Sequence, residues 1–334
     1  MHSYATSILD AHDEKNIEHA AKLIREGGLV AFVTETVYGL GTLGLDVTSV
    51  QRIFDAKERP SHNPLILHVA TISDAKLLFN FPNDEVIKRF NLLTNHFWPG
   101  PLTIVCEKSS IVPDLTTAGS NKVAVRIPNH AIALKLLTLV GKPVAAPSAN
   151  ASGRPSATSA ETVLKTLDGK IDAVLDAGSC LYGLESTVID ISANTPVILR
   201  TGAISVDVLG ILLPTLTIKE IGAPCLEILG SPGLSTKHYS PQIQHIKLAT
   251  HVEIIKNWNS SVAMLTRQET YEKNGIRFEG MTEILPNDPV NYAHELYAAL
   301  YRLENSSSQT LLIEEVSQEE SWLAIRDRLM RACA

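Results

Sequence analysis

The chain has 334 residues, of which 45% are hydrophobic and 19% are charged, and its formal net charge at pH 7 is −7. This composition is ordinary for a globular protein and excludes a disordered chain, while the acidic balance argues against broad, non-specific nucleic-acid binding, which needs a basic surface. The length predicts two domains, a larger one and a smaller one.

Membrane-spanning and disulfide-rich classes are not indicated either. No apolar run approaches the roughly 20 residues that span a bilayer, and the N-terminus lacks the basic and apolar regions of a signal peptide. The cysteines are far apart and form no CxxC pair, which argues against structural zinc and a disulfide framework; they are Cys106, Cys180, Cys225 and Cys333. We therefore expect a cytoplasmic protein with reduced thiols and no membrane partner.

Helices and strands alternate without a strict period over the first two thirds of the chain. Residues 14–26 have the apolar spacing of a helix that ends at two glycines, and residues 29–33 follow as a buried strand. Thr48 or Ser49 is expected to cap the next helix, which places Lys57 just past its C-terminus. Further strands are predicted at residues 65–69, 102–106, 123–127, 144–146, 173–175, 187–191 and 197–199, and further helices at residues 83–96, 131–140 and 159–167. The alternation indicates an α/β or α+β domain with a mixed, twisted sheet.

Residues 206–241 differ from the rest because they hold many Pro and Gly residues and little periodic pattern. We predict a long linker, although its last stretch, residues 231–241 (SPGLSTKHYSP), is too specific for a spacer. Beyond it, a small βαβ-like domain without a GxGxxG loop is predicted from strands at residues 262–266 and 310–313 and helices at residues 290–303 and 322–332. The predicted units are residues 10–205, 206–241 and 242–334.

Short polar segments lie just outside the apolar runs, where strand ends would present their side chains to a common cleft. They are residues 34–41 (TETVYGLG), 57–64 (KERPSHNP), 125–128 (VRIP), 147–150 (PSAN), 185–187 (EST) and 199–202 (LRTG). A structural linker has no need of Lys, Arg, Ser, Thr and Asn at so many strand ends. A cleft that binds an anionic ligand with several parts does need them.

Two of these regions carry cations in informative positions. Lys57 and Arg59 together suit a triphosphate, although a solvated basic turn after a helix explains the same residues equally well. Lys122 and Arg126 share one face of a predicted apolar strand, which is costly unless they are paired or line a wet cavity. His68, in another apolar strand, is by itself more typical of a core histidine than of a ligand.

In this order, the segments resemble those of the threonylcarbamoyl-adenylate synthase family, whose fold is YrdC-like. The resemblance covers residues 10–205, and residues 232–241 with the small C-terminal unit resemble the longer, two-domain branch of that family. It implies an α/β (α+β) fold in which a twisted mixed sheet flanked by helices surrounds a central cavity, followed by a small Rossmann-like βαβ domain.

The resemblance also implies an activity. Family members form threonylcarbamoyl-adenylate (threonylcarbamoyl-AMP) and pyrophosphate from L-threonine, bicarbonate or CO2, and ATP with Mg²⁺. Downstream transferase proteins then pass the threonylcarbamoyl group to an adenosine of tRNA. Whether tRNA itself touches this protein, and what the C-terminal domain does, are left open by the sequence.

The resemblance assigns roles to individual residues, and no protein ligand of a metal is among them. It gives catalytic roles to Lys57, Arg59 and Arg126. Threonine contacts are implied for Thr36, His68, Arg126, Ala146 (through its backbone) and Ser186. ATP contacts are implied for Arg59, Asn63, Lys122, Ser148, Ser156, Arg200 and Tyr239. Tyr239 lies in the linker, which is therefore expected to act as a lid over a water-labile intermediate.

Two other functions were weighed against the synthase. Hydrogenase-maturation proteins that form carbamoyl-adenylate contain a related domain, but they add zinc-binding cysteine repeats and an acylphosphatase-like segment that this sequence lacks. A double-stranded RNA-binding module would use a basic cavity without catalysis, and the acidic net charge weighs against it.

Overall fold

The structure, a computed structural model, describes residues 5–219, 238–256, 262–274 and 281–334. These residues form an 11-stranded mixed sheet in the N-terminal part and a 4-stranded sheet in the C-terminal part. The strands are β1 (Ser7–Asp10), β2 (Val30–Phe32), β3 (Gly39–Leu43), β4 (Ile66–His68), β5 (Leu102–Glu107), β6 (Lys122–Arg126), β7 (Val144–Ala145), β8 (Ala173–Asp176), β9 (Thr187–Asp190), β10 (Val197–Arg200), β11 (Thr217–Ile218), β12 (His245–Ala249), β13 (Val262–Arg267), β14 (Thr282–Leu285) and β15 (Thr310–Glu314).

Helices cover both sheets, and several begin at a side chain that caps the first turn. Asp13, Asn83, Ser159 and Asp288 each accept a hydrogen bond from a backbone N–H of the helix that follows. The helices are α1 (Glu14–Arg25), α2 (Val47–Lys57), α3 (Ile72–Leu78), α4 (Asp84–Phe97), α5 (Asp114–Thr117), α6 (Ala131–Val140), α7 (Ala160–Leu167), α8 (Val206–Leu212), α9 (His251–Lys256), α10 (Gln268–Asn274), α11 (Pro289–Leu303) and α12 (Leu323–Ala332).

The large sheet brings the predicted strand ends together. Its order is β1-β8-β2-β3-β7-β4-β6-β5-β9-β10-β11, so at most one strand separates each strand that borders a polar segment from the next such strand. The parallel register of β4 and β6 pairs His68 with Arg126. Because neighbouring strands lie about 5 Å apart, these two side chains leave the sheet next to each other.

Two local predictions were wrong. No strand was predicted at residues 39–43, but they form β3, which pairs antiparallel with β2. The cap of α2 is Asp46 rather than Thr48 or Ser49, because the Asp46 carboxylate accepts from Ser49 N at 2.7 Å. The helix consequently starts at Val47 and includes Lys57 as its last residue.

The C-terminal sheet is parallel throughout and has the order β12-β15-β13-β14. This arrangement confirms the expected small Rossmann-like domain, with α11 and α12 as its longest helices. Within the predicted linker, residues 206–219 contain α8 and β11, and β11 extends the large sheet by pairing with β10. The predicted motif of residues 231–237 lies outside the described residues.

The two parts share an apolar cluster. Val37 and Leu184 of the N-terminal part, together with Tyr239, pack against buried residues of the C-terminal domain such as Leu296 and Tyr297. The contact lies beside the polar segments at the strand ends, so the C-terminal domain forms one wall of that region. Across the residues that the structure describes, none of the helices has the length and apolar character needed to cross a membrane.

Candidate active site

A narrow cavity lies where the polar strand ends meet, and its volume is about 40 Å³. Its wall combines backbone turns with polar side chains from at least four of the segments singled out in the sequence. Nine predicted site residues line it: Thr36, Arg59, His68, Arg126, Ala146, Ser148, Ser186, Arg200 and Tyr239. The cavity is well below the roughly 300–1,000 Å³ of a typical ligand pocket, so a large ligand requires part of the wall to move.

Arg126, at the end of β6, is held in a fixed direction. Its guanidinium donates from Nε to the Gly100 carbonyl (3.2 Å) and from Nη1 to Thr36 Oγ1 (2.9 Å). Nη2 lies 2.7 Å from Glu35 Oε1, which makes an ion pair, but neither atom meets hydrogen-bond geometry with a partner in the described part of the chain. Nη2 is therefore the donor open to an incoming carboxylate, whereas Thr36 Oγ1 must first turn its proton away from Thr34 Oγ1.

His68 is buried beside Arg126 and remains neutral near pH 7. Burial, followed by the positive charge of Arg126, lowers the pKa of its imidazole to about 3. Its Nδ1 is buried and has no hydrogen-bond partner among the described residues. A neutral imidazole here offers a polar contact to a ligand without adding a charge next to Arg126.

We expect this burial to make the stability of the protein pH-dependent. His68 and His238 both have a pKa near 3 in the folded protein, whereas a histidine of the unfolded chain titrates near 6.5. Below pH 6.5 the unfolded chain therefore takes up protons that the folded protein does not, so stability falls as the pH falls from 6.5 toward 3. His68→Gln should reduce the loss in unfolding free energy between pH 7 and pH 5 by about 2 kcal/mol.

Urea unfolding of the wild type and of His68→Gln at both pH values measures this difference. A substitution of the exposed His12 serves as the control and should leave the wild-type pH dependence unchanged. Equal pH dependence in the wild type and in His68→Gln would contradict the assignment of a neutral, buried His68.

Positive charge is concentrated on the other side of the cavity. Burial lowers the pKa of Arg59 to about 10, and burial followed by the charge of Arg59 lowers the pKa of Lys57 well below its usual value. Arg200 is buried as well, and burial lowers its pKa too. Cations gathered in this way repel one another and are costly to bury unless an anion joins them, so this side suits phosphate groups.

Ser186 joins the two sides of the cavity. Arg200 donates from Nη2 to Ser186 O (3.0 Å) and Ser186 Oγ (3.1 Å), and the hydroxyl also lies 2.7 Å from Thr103 Oγ1. Gly202 packs so closely on this segment that a Cβ atom would lie 2.3 Å from Glu185 O and 2.5 Å from Ser186 C. The backbone at Gly202, two residues after β10, thus packs directly behind Ser186, and only glycine fits there.

The structure leaves four predicted site residues off the cavity wall: Lys57, Asn63, Lys122 and Ser156. Lys57 Nζ is fully buried and donates to the carbonyls of Ser148 and Asn150. Lys122 forms an ion pair with Asp190 at 2.7 Å and is partly exposed. It shares a strand face with Arg126 as predicted, but four residues of strand separate the two by about 13 Å, which puts Lys122 at the far end.

The remaining two lie close behind the wall. Asn63 is buried, and its backbone carbonyl accepts from Arg59 Nε at 3.1 Å while its Oδ1 has no partner within the described ranges. Ser156 donates to Glu185 Oε1 at 2.5 Å. Both therefore act on residues of the wall, Asn63 on Arg59 and Ser156 on Glu185.

His238 and Tyr239 close the cavity from the C-terminal side. Tyr239 adopts a left-handed backbone conformation (φ 62°), which is unusual for a residue with a side chain, and its ring stacks on Tyr297 at 5.6 Å. Its hydroxyl is buried with no hydrogen-bond partner among the residues described. This hydroxyl is therefore a candidate contact for a ligand.

Sequence reasoning did not single out Glu35, Glu185 or His238 as site residues. Glu35 is the ion-pair partner of Arg126, and Glu185 and His238 line the cavity. Each stands next to a residue that was predicted, but a carboxylate or an imidazole beside a motif residue is usually solvated. These three side chains differ from such solvated residues only in being buried, with exposed fractions between 3% and 7%.

Comparison with known proteins gives matches over both parts of the chain. A family model for Sua5, YciO and YrdC proteins, described as telomere recombination, matches residues 22–202, and a model described as the C-terminal domain of threonylcarbamoyl-AMP synthase matches residues 216–334. A threonylcarbamoyl-AMP synthase of Pyrococcus abyssi is 37% identical over 98% of this chain and 96% of its own length.

Two further matches extend over nearly the whole chain. A threonylcarbamoyl-AMP synthase of Bacillus subtilis is 36% identical over 98% of this chain and 95% of its own length. Among solved structures, the crystal structure of P. abyssi Sua5 complexed with L-threonine superposes with a TM-score of 0.89 at 35% identity, covering 99% of this chain and 98% of that one.

Proposed function

The chain belongs to the threonylcarbamoyl-AMP synthase family, and we propose that it forms threonylcarbamoyl-AMP and pyrophosphate from L-threonine, bicarbonate or CO2, and ATP, for modification of tRNA. The observation that carries this proposal is a cavity in which a fixed arginine for a carboxylate, Arg126, lies in the same wall as two buried arginines for phosphates, Arg59 and Arg200. The near-complete match to a protein crystallised with L-threonine supports the same assignment.

On the threonine side, Arg126 and Thr36 hold the substrate carboxylate, and Ser186 and the neutral His68 contact the rest of the molecule. The threonine amine, once deprotonated, attacks CO2, and a proton leaves as the carbamate forms. If bicarbonate is the source, the amine proton leaves with the bicarbonate hydroxyl as water, and no free proton is released. The cavity contributes by orientation, since it places the new carbamate beside the nucleotide.

On the nucleotide side, a carbamate oxygen attacks the α-phosphorus of ATP while the bond from that phosphorus to the bridging oxygen breaks and pyrophosphate leaves. Arg59 and Arg200 stabilise the charge on the phosphates, and Lys57 holds the loop of Ser148 and Asn150 beside them through its hydrogen bonds to the two carbonyls. Mg²⁺ enters with ATP as part of the substrate. Glu185 is the one acidic side chain among the described lining residues, and its oxygens already accept three donors, so the phosphates supply the metal ligands.

Pyrophosphate release by the purified protein tests the proposal. ATP and Mg²⁺ are supplied with threonine alone, with bicarbonate alone, and with both. Release that depends on both co-substrates is the expected result, because the carbamate forms only from the two together. ATP turnover that ignores threonine, or no turnover at all, would overturn the synthase assignment.

Two further measurements distinguish the alternatives. Pyrophosphate release that requires a carbamoyl donor and is independent of threonine would indicate carbamoyl-adenylate formation instead. Binding of double-stranded RNA with a steep salt dependence, unaffected by ATP and threonine, would indicate the RNA-binding function. For the proposed synthase, downstream transferase proteins are the partners that receive the labile product.

A further inference from the structure

Glu185 is a buried carboxylate of the cavity wall that is held mainly by the C-terminal domain. Its oxygens accept from Ser156 Oγ (2.5 Å), from the Tyr297 hydroxyl (3.1 Å to each oxygen) and from Arg328 Nε (2.9 Å). Tyr297 belongs to α11 and Arg328 to α12. Burial by itself would raise the pKa of Glu185, but Arg328 and then Arg200 bring it down to about 2, so the carboxylate is charged.

Arg328 is a cation of the C-terminal domain that is only 1% exposed, and each of its three side-chain nitrogens donates a hydrogen bond. Besides Glu185, its Nη1 donates to Asp327 Oδ2 (2.6 Å) and its Nη2 to the carbonyl of Thr201 (2.8 Å). The guanidinium also lies over the Tyr239 ring, 5.2 Å from its centre. The side chain of Arg328 therefore contacts Glu185, Thr201 and Tyr239. The first two are the chain neighbours of Ser186 and Arg200, and the third closes the cavity.

Arg200 is the cation that competes for Glu185. The two side chains attract each other electrostatically, yet Arg200 donates to the oxygens of Ser186. Without Arg328, the Glu185 carboxylate would be a buried charge whose remaining counter-ion is Arg200, and unpaired buried charge is strongly unfavourable. Arg200 would then turn toward Glu185 and release Ser186.

We propose that Arg328 and Tyr297 are positioning residues for this active site: they satisfy the Glu185 carboxylate from the C-terminal domain, so that Arg200 stays on Ser186 and faces the nucleotide. This inference rests on the proposed function for the identity of the substrates. It gives the C-terminal domain a direct part in organising the cavity, since Ser186 and Arg200 join its threonine side to its phosphate side.

The test compares two arginines that each pair with a buried glutamate. Arg328→Met should raise KM for ATP and for threonine roughly tenfold, the effect of losing hydrogen bonds to a charged group. Arg267→Met is the matched control, because Arg267 pairs with Glu314 (2.8 Å) in the C-terminal domain and does not line the cavity. It should lower the thermal stability while leaving both KM values at the wild-type level.

Two further variants separate positioning from a general loss of stability. In Glu185→Gln/Arg328→Met the competing carboxylate is gone, so KM for threonine should return to within about threefold of the Glu185→Gln value. Tyr297→Phe keeps the ring that stacks on Tyr239 and removes one donor to Glu185, and we expect roughly a threefold rise in both KM values. If Arg328→Met does not fold, Tyr297→Phe tests the positioning role in its place.

Equal kinetic effects of Arg328→Met and Arg267→Met, or a double variant no better than Arg328→Met, would overturn the positioning role. Failure of the proposed function is recognised separately, because wild-type protein would then release no threonine-dependent pyrophosphate. In that case calorimetric titration with ATP replaces the assay. The inference then requires tenfold weaker ATP binding by Arg328→Met than by Arg267→Met, and equal binding would refute it.

Discussion

Replacing Arg126 with lysine should lower kcat/KM for threonine by about a hundredfold or more, because lysine keeps the charge but loses the forked guanidinium that binds a carboxylate. Arg126→Ala should reduce it further, to the limit of detection. The alanine variant also leaves Glu35, only 3% exposed, without its counter-ion, which costs about 3–5 kcal/mol of stability. Threonine-dependent pyrophosphate release and thermal unfolding, measured on the same samples, report the two effects.

A double variant separates loss of binding from loss of folding. Glu35→Gln/Arg126→Met removes both members of the ion pair, so it should recover most of the stability lost in Arg126→Ala. It should not recover threonine-dependent activity, because the carboxylate ligand is still missing. Wild-type KM for threonine in Arg126→Lys would contradict the role of Arg126 as the carboxylate-binding group.

Replacing Lys57 with methionine should lower kcat/KM for ATP by roughly a hundredfold, the scale expected when two buried hydrogen bonds that hold a ligand-binding loop are lost. Lys57 Nζ donates to the carbonyls of Ser148 and Asn150, so the loop that carries Ser148 into the cavity loses two anchors. Stability should also fall, by about 1–3 kcal/mol, because the carbonyls of Ser148 and Asn150 lose their donor.

The structure further predicts how the loss divides between binding and turnover. Since Nζ binds backbone carbonyls and does not line the cavity, most of the effect of Lys57→Met should appear in KM for ATP. Lys170→Met is the control, because Lys170 is exposed and pairs with Glu58, the residue after Lys57. A fall confined to kcat would show instead that the Lys57 ammonium acts on the reacting phosphate.

Much of this fold follows from local sequence pattern. The helix predicted at residues 131–140 is α6 with the same bounds, and the buried runs around His68 and Arg126 are β4 and β6. These elements are specified by the spacing of apolar residues, which can be observed directly in the sequence. The cap of α2 was misplaced because Asp46, Thr48 and Ser49 all have cap-forming side chains, and only the hydrogen bond shows which one is used.

The sequence by itself supplied the prediction of which residues contact a carboxylate and a triphosphate, because Arg126, Arg59 and Arg200 stand in short polar segments that resemble those of the family. Tertiary structure alone decided which of the predicted residues meet. Lys122 and Arg126 share a strand face, yet only Arg126 reaches the cavity, because strand rise separates them. The contact of Arg328 with Glu185 joins residues 143 positions apart, and a local sequence pattern cannot predict a pairing over that distance. Burial of charge is set by what packs around it, so the counter-ions of this site emerge only when both domains are folded together.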